Sequence, residues 1–148
     1  MEKPSPYTIP GIEFTEEQII AIWEDHYGLL VEDVQVQSRK AKLKIPRQVL
    51  MFLLREFGKL SYAQAGERVS REHATAMHGY KKVTETYLND RQLRPGIERL
   101  LSRFSEHYLN TIQVQLSRED LFRLLPDLKE EYRGWNLQAL WRLYKESQ

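Results

Sequence analysis

Apolar residues recur at helical spacing along most of this chain. Ile19, Ile22, Trp23 and Tyr27 sit three and four apart, the stripe of an amphipathic helix. Before them, Thr15 and Gln18 fit a capping box, and Phe14 and Ile19 fit a hydrophobic staple. Gly28 suits the left-handed residue that ends such a helix. The pattern predicts a helix from Phe14 to Tyr27 and a short one from Val31 to Val36. Ser38 to Lys44 has no helical apolar face and reads as a loop. Pro46 suits a first helical position, so the next helix is expected from Pro46 to Phe57. It would bury Val49, Leu50, Leu53, Leu54 and Phe57, stop at Gly58, and carry Arg47 and Gln48 in an exposed first turn.

Ser61 can cap a short helix running through Arg68, with Tyr62 and Ala65 inward and Gly66 allowing close packing. Ser70 is the expected cap of a longer helix whose inner face is Ala76, Gly79, Tyr80, Val83 and Tyr87, ending near Leu88–Asp90. Two helices joined by so tight a turn form a helix-turn-helix. Pro95 can open another helix with the stripe Ile97, Leu100, Leu101, Phe104 and Tyr108. Ser117 (with Asp120) and Asn136 can cap two further short helices, separated by Pro126. No segment predicts a strand, so the expected class is all-α: a helix-turn-helix bundle with an extra C-terminal helical segment.

Composition adds limits. The chain has 148 residues, 41% of them hydrophobic, and no cysteine. That supports one cored domain with an appendage and excludes a disulfide frame. There is no apolar run of membrane-spanning length and no signal-peptide pattern. The expectation is a soluble cytoplasmic protein, associated with the nucleoid if it binds DNA.

The net charge of +1 conceals a strong polarity. Residues 1–33 carry eight acids and one base, whereas residues 34–104 carry fifteen bases and six acids. Val34 to Arg55 contains no acid, but holds Arg39, Lys40, Lys42, Lys44, Arg47 and Arg55. A basic middle is the electrostatic footprint of a polyanion partner; a solvated basic loop is the alternative. The helix after Ser70 opens with Arg71, Glu72, His73 and Thr75 and continues to His78, Lys81 and Lys82. Donors and acceptors so concentrated suit a first turn that enters a DNA groove and later turns that pass phosphates. Enzyme chemistry finds no support. His73 and His78 are five apart, not the four of helical metal ligation, and Glu106-His107 has no visible partner. No cofactor and no metal are expected.

Three motifs in order carry a resemblance. The basic loop runs into Ile45-Pro46-Arg47-Gln48; Ser61-Tyr62-Ala63-Gln64-Ala65-Gly66 follows; then Arg71-Glu72-His73-Ala74-Thr75-Ala76-Met77-His78 with the basic pair Lys81-Lys82. Together they resemble the C-terminal DNA-binding domain of the bacterial replication initiator DnaA, a Trp-repressor-like helix-turn-helix fold. The resemblance covers about residues 14–104. It implies that Arg39 enters the minor groove, that Glu72, His73 and Ala74 read bases in the major groove, and that Arg47, Gln48, His78 and Lys82 contact the DNA backbone. Lys40, Lys42, Lys44, Tyr62, Arg71, Thr75 and Lys81 complete the expected DNA-binding set. Against the family pattern, Glu72 stands for Asp, Ala74 for Thr and Ala41 for a second loop Arg. Tyr62-Ala63 stands for Leu-Pro, and Val69-Ser70 for a Gly pair. The chemistry stands apart from the resemblance. An Arg suits a narrow A·T-rich minor groove, a carboxylate accepts from cytosine N4, and a methyl meets a thymine methyl.

The initiator's ATPase module is not represented, because the chain has no G-x-x-x-x-G-K-[ST] motif. ATP binding is therefore not expected, and the chain reads as a stand-alone relative or a fragment. The expected layout is an extended arm over residues 1–13, the DNA-binding domain over 14–108 and a helical extension over 109–148. Residues 109–148 could serve a protein partner. The expected function is sequence-specific binding of double-stranded DNA at an initiator-box-like site, in replication control or transcriptional regulation. The alternative is an interaction module that binds a replication protein and no longer reads DNA.

Overall fold

The computed structural model describes residues 7, 8 and 13–115. Its helices run in the order α1 (Glu16–Tyr27), α2 (Val31–Gln35), α3 (Ala41–Glu56), α4 (Tyr62–Glu67), α5 (His73–Glu85) and α6 (Arg94–Gln115), with a 3-10 turn at Tyr87–Asn89. The described residues contain no strand, and the fold is all-α. None of their helices is long and apolar enough to cross a membrane. The helices expected after Ser117 and Asn136 lie outside the described residues.

Local sequence explains the first helix. The Thr15 hydroxyl accepts from the Gln18 N–H at 3.1 Å, and the Gln18 side chain accepts from the Thr15 N–H at 2.9 Å. Both orphan donors of the turn are thus satisfied. Gly28 closes the helix at φ 66°, a left-handed conformation that glycine adopts without steric cost. Phe14, Ile19 and Trp23 are buried. The Trp23 indole N–H donates to the Pro46 carbonyl at 2.9 Å, which fastens α1 to the next long helix.

That helix, α3, is the centre of the unit formed by Glu13–Leu100. Val49 through Leu54 are each at most 1% exposed. A helix apolar on every side belongs inside its domain, and α1, α2, α4 and α5 all pack on it. Its start corrects the expectation of a loop from Ser38 to Lys44 and a helix from Pro46: α3 begins at Ala41, with Pro46 inside it. Proline is disfavoured at that depth because it lacks an N–H and crowds the preceding turn. Burial of the following two turns outweighs this cost and carries the helix back through the basic segment.

The helix-turn-helix is α4 and α5. Ser61 and Gln64 form the second capping box, at 3.0 and 3.1 Å. Gly66 permits the close crossing, since a Cβ there would lie 2.7 Å from the Arg71 carbonyl oxygen and 3.3 Å from the Ala76 Cβ. Ser70 is not the helix cap. It adopts φ 58° and turns the chain, while the extended Glu72 (φ −84°, ψ 165°) is the N-cap of α5. A cap needs β-region backbone, and a left-handed residue cannot supply it. Ala76, Gly79, Val83 and Tyr87 are buried as the spacing predicts, and Tyr80 is half-buried.

In α6, Ile97, Leu100, Leu101, Phe104 and Tyr108 are all buried, matching the predicted stripe. The helix continues to Gln115, so the expected boundary after residue 108 falls inside it. From Leu101 onward α6 belongs to a second compact unit.

Candidate nucleic-acid interface

The candidate residues divide by exposure. Arg39, Lys40, Lys42, Lys44, Glu72, His73, Ala74, Thr75, His78 and Lys81 are exposed; Tyr62, Arg71 and Lys82 are half-buried; Arg47 and Gln48 are buried, at 4% and 6%. The last two correct the expectation of an exposed first turn. Because α3 starts at Ala41, they sit nearly two turns into it and face the interior.

Arg47 has a clear interior task. Its Nε donates to the Val34 carbonyl at 2.6 Å, and its terminal nitrogens donate to Val36 and Ser38 carbonyls at 3.0 Å each. Those carbonyls belong to the end of α2 and the loop after it, where no helical donor follows. Burial, and then the nearby Arg71 charge, lower the Arg47 pKa, but a guanidinium stays charged across the working pH range. Gln48 accepts from the Tyr87 hydroxyl through its side-chain oxygen. Burial raises the Tyr87 pKa and keeps that hydroxyl a donor.

The first turn of α5 presents side chains outward. Glu72 makes no side-chain cap bond, so its carboxylate is not committed to the helix start. His73 stacks edge-on against the Tyr62 ring, centroids 5.7 Å apart, and the Arg55 guanidinium lies 4.4 Å over that same ring. Tyr62 also meets Tyr80 edge-on. A cation over a tyrosine face is attracted by the ring quadrupole, so Arg55, Tyr62 and His73 form one braced stack. Sequence reading missed Arg55, whose only signal was its basic charge at the end of the acid-free stretch.

Loop and helix meet across a cleft of about 780 Å³. Its lining is Gln37, Ser38 and Arg39 of the loop, Lys44, Arg47, Gln48 and Met51 of α3, Arg71 of the turn before α5, and Thr75 and His78 of α5. Four of the lining residues are cations and none is a carboxylate. Such a lining concentrates positive potential where low-dielectric walls focus it. Arg39 and α5, more than thirty residues apart in sequence, thus share one feature. Lys40, Lys42, Tyr62, Glu72, His73, Ala74, Lys81 and Lys82 are outside its lining.

Residues 16–83 match the family described as the bacterial dnaA protein helix-turn-helix. This segment belongs to the DnaA helix-turn-helix family. The match spans α1 through most of α5 and includes the whole cleft. Among relatives, the chromosomal replication initiator protein DnaA of Herpetosiphon aurantiacus is 37% identical over 90 residues, covering 60% of this chain and 19% of that protein. The DnaA of Geobacter sulfurreducens is 37% identical over 89 residues, covering 60% and 20%. That of Chloroflexus aurantiacus is 37% identical over 82 residues, covering 55% and 17%. The chain therefore spans about a fifth of the length of these DnaA relatives. No solved structure matches it.

Proposed function

We propose that the chain binds double-stranded DNA at a specific site, in replication-initiation control or transcriptional regulation. The first turn of α5 enters the major groove and the loop carrying Arg39 enters the adjacent minor groove. The observation that carries this reading is the acid-free cationic cleft, whose lining includes Arg39 together with Thr75 and His78. The helix-turn-helix family match supports it.

Each exposed residue then has a chemical task. The Glu72 carboxylate accepts from cytosine N4, the Ala74 methyl packs on a thymine methyl, and His73 meets a base edge. Arg39 occupies a narrow minor groove, where negative potential is enhanced. His78, Lys81, Lys82, Lys42 and Lys44 lie along phosphates and make affinity salt-dependent. Arg47 and Gln48 act from behind, by holding the loop and the Tyr87 contact.

The test is selection from a randomised duplex pool at near-physiological salt. The expected result is enrichment of a short asymmetric motif, lost when Glu72 is changed to Gln at the position it reads. Retention without enrichment, vanishing as salt rises, would leave non-specific binding only. No retention, with recovery of a protein partner, would replace this reading with an interaction module.

A further inference from the structure

The loop that presents Arg39 has little of its own to hold it. Val36, Gln37, Arg39 and Lys40 are all exposed, Val36 at 49%. No apolar side chain in that stretch is buried, so burial does not fix the loop. Its main-chain carbonyls do. Arg47 takes those of Val34, Val36 and Ser38. A second guanidinium, that of Arg71, donates to the Val36 carbonyl at 2.7 Å and the Gln35 carbonyl at 3.4 Å.

Arg71 stands two residues before α5, and the same guanidinium also donates to the Val69 and Ser70 carbonyls at 3.0 and 3.1 Å. It therefore spans two segments about 35 residues apart: the loop after α2 and the turn before α5. A parallel tie runs from the Gln35 side-chain amide to the Arg68 carbonyl, 3.1 Å. A guanidinium is planar, with donors in a fixed fork. Seating it on carbonyls of both segments sets their relative position as well as their distance.

We propose that Arg71 is a positioning residue that couples the two DNA-reading elements: it sets Arg39 relative to the first turn of α5 through the Val36 carbonyl, and does not itself bind phosphate. This rests on the DNA reading above. Its consequence is that the minor-groove contribution of Arg39 depends on Arg71, although the two side chains belong to different segments.

Arg71→Lys separates the clasp from the charge, because an ammonium keeps the charge but lacks the planar fork. Affinity of the full chain for its pool-selected duplex would be measured for the wild type, Arg71→Lys, Arg39→Ala and the double variant, over a salt series. With a clasp, Arg71→Lys weakens binding about ten-fold alone but less than about two-fold once Arg39 is gone, since contacting or coupled residues are non-additive. In the Arg39→Ala background the salt slope is the same with and without Arg71→Lys, because no further ionic contact with the duplex is lost. The proposal is overturned if Arg71→Lys binds within two-fold of the wild type, or if its penalty is the same in both backgrounds. Helicity and melting would be followed in parallel. If Arg71→Lys does not fold, Gln35→Ala, which removes the parallel tie, must show the same dependence on Arg39, and an additive result overturns the proposal. A wild type that enriches no sequence sinks the DNA reading and the clasp with it. A selective wild type with additive variants sinks the clasp alone.

Discussion

Two contrasting kinds of helix start occur among the described residues. α1 and α4 begin with complete capping boxes, Thr15 with Gln18 and Ser61 with Gln64. α3 and α5 begin with Lys40 and Glu72, which make no side-chain cap bond, and neither helix has an acid in its first turn. The closed starts satisfy two N–H groups each from within four residues. Both of these open starts border the cationic cleft or the loop carrying Arg39. Their cap side chains are exposed, so the stability a cap would have contributed there is forgone. The difference separates residues that build the fold from residues left exposed around the cleft.

The largest expected effect tests the open class. Arg39→Ala with His73→Ala removes one exposed residue from each reading element. Affinity for the selected duplex should fall by about a hundred-fold or more, since each specific base contact contributes about 1–3 kcal/mol. The melting temperature should fall by only a few degrees, from loss of the His73–Tyr62 ring contact. Unchanged binding to the preferred site would show the docking mode to be wrong. A large drop in melting instead would move these residues into the fold-building class.

Ser61→Ala tests the closed class. Loss of an N-cap of this kind costs about 1 kcal/mol, which lowers melting by roughly 4–8 °C in a domain of this size. Duplex affinity, measured well below melting, should change less than about two-fold. A loss of affinity with no change in melting would remove the distinction between the two classes.

The smallest effect is the most discriminating. Glu72→Ser gives α5 the closed start it lacks, since a hydroxyl at the cap can accept from the Thr75 N–H. Thermal or denaturant unfolding should show a gain of about 0.5 kcal/mol. Pool selection should show relaxed preference at the position the carboxylate reads. Greater stability with unaltered selectivity would mean that Glu72 does not touch a base.

The same division explains what could be read from the amino acids alone. Capping boxes and stripes are local, so α1, α4 and the buried face of α6 were legible from a few positions each. The start of α3 was not. Its first five residues hold only the half-buried Leu43 and Ile45 on any inward face, and their helicity depends on burial further along. Ser70 was misread for a related reason. Its cap preference is intrinsic, but the turn required a left-handed residue at that position, a demand set by where α5 packs. The set of exposed basic and first-turn residues was legible from charge pattern and motif. The inward turn of Arg47 was not, because its acceptors lie nine to thirteen residues upstream. The Arg71 acceptors at Gln35 and Val36 are more distant still, and no periodicity reports them.

Pro46 has a further consequence, for the timescale of motion. Having no N–H, it returns no hydrogen bond to the Lys42 carbonyl, while its own carbonyl is engaged by Trp23. α3 therefore lacks one rung of its hydrogen-bond ladder, between its exposed first turn and its buried stretch. The turn from Ala41 to Ile45 is expected to open ahead of the core stretch that follows, as low-stability segments do. Its amides should exchange with deuterium well ahead of those from Val49 to Leu54. Lys42 and Lys44 therefore sit on the turn that this missing rung joins to the deeply buried stretch of α3.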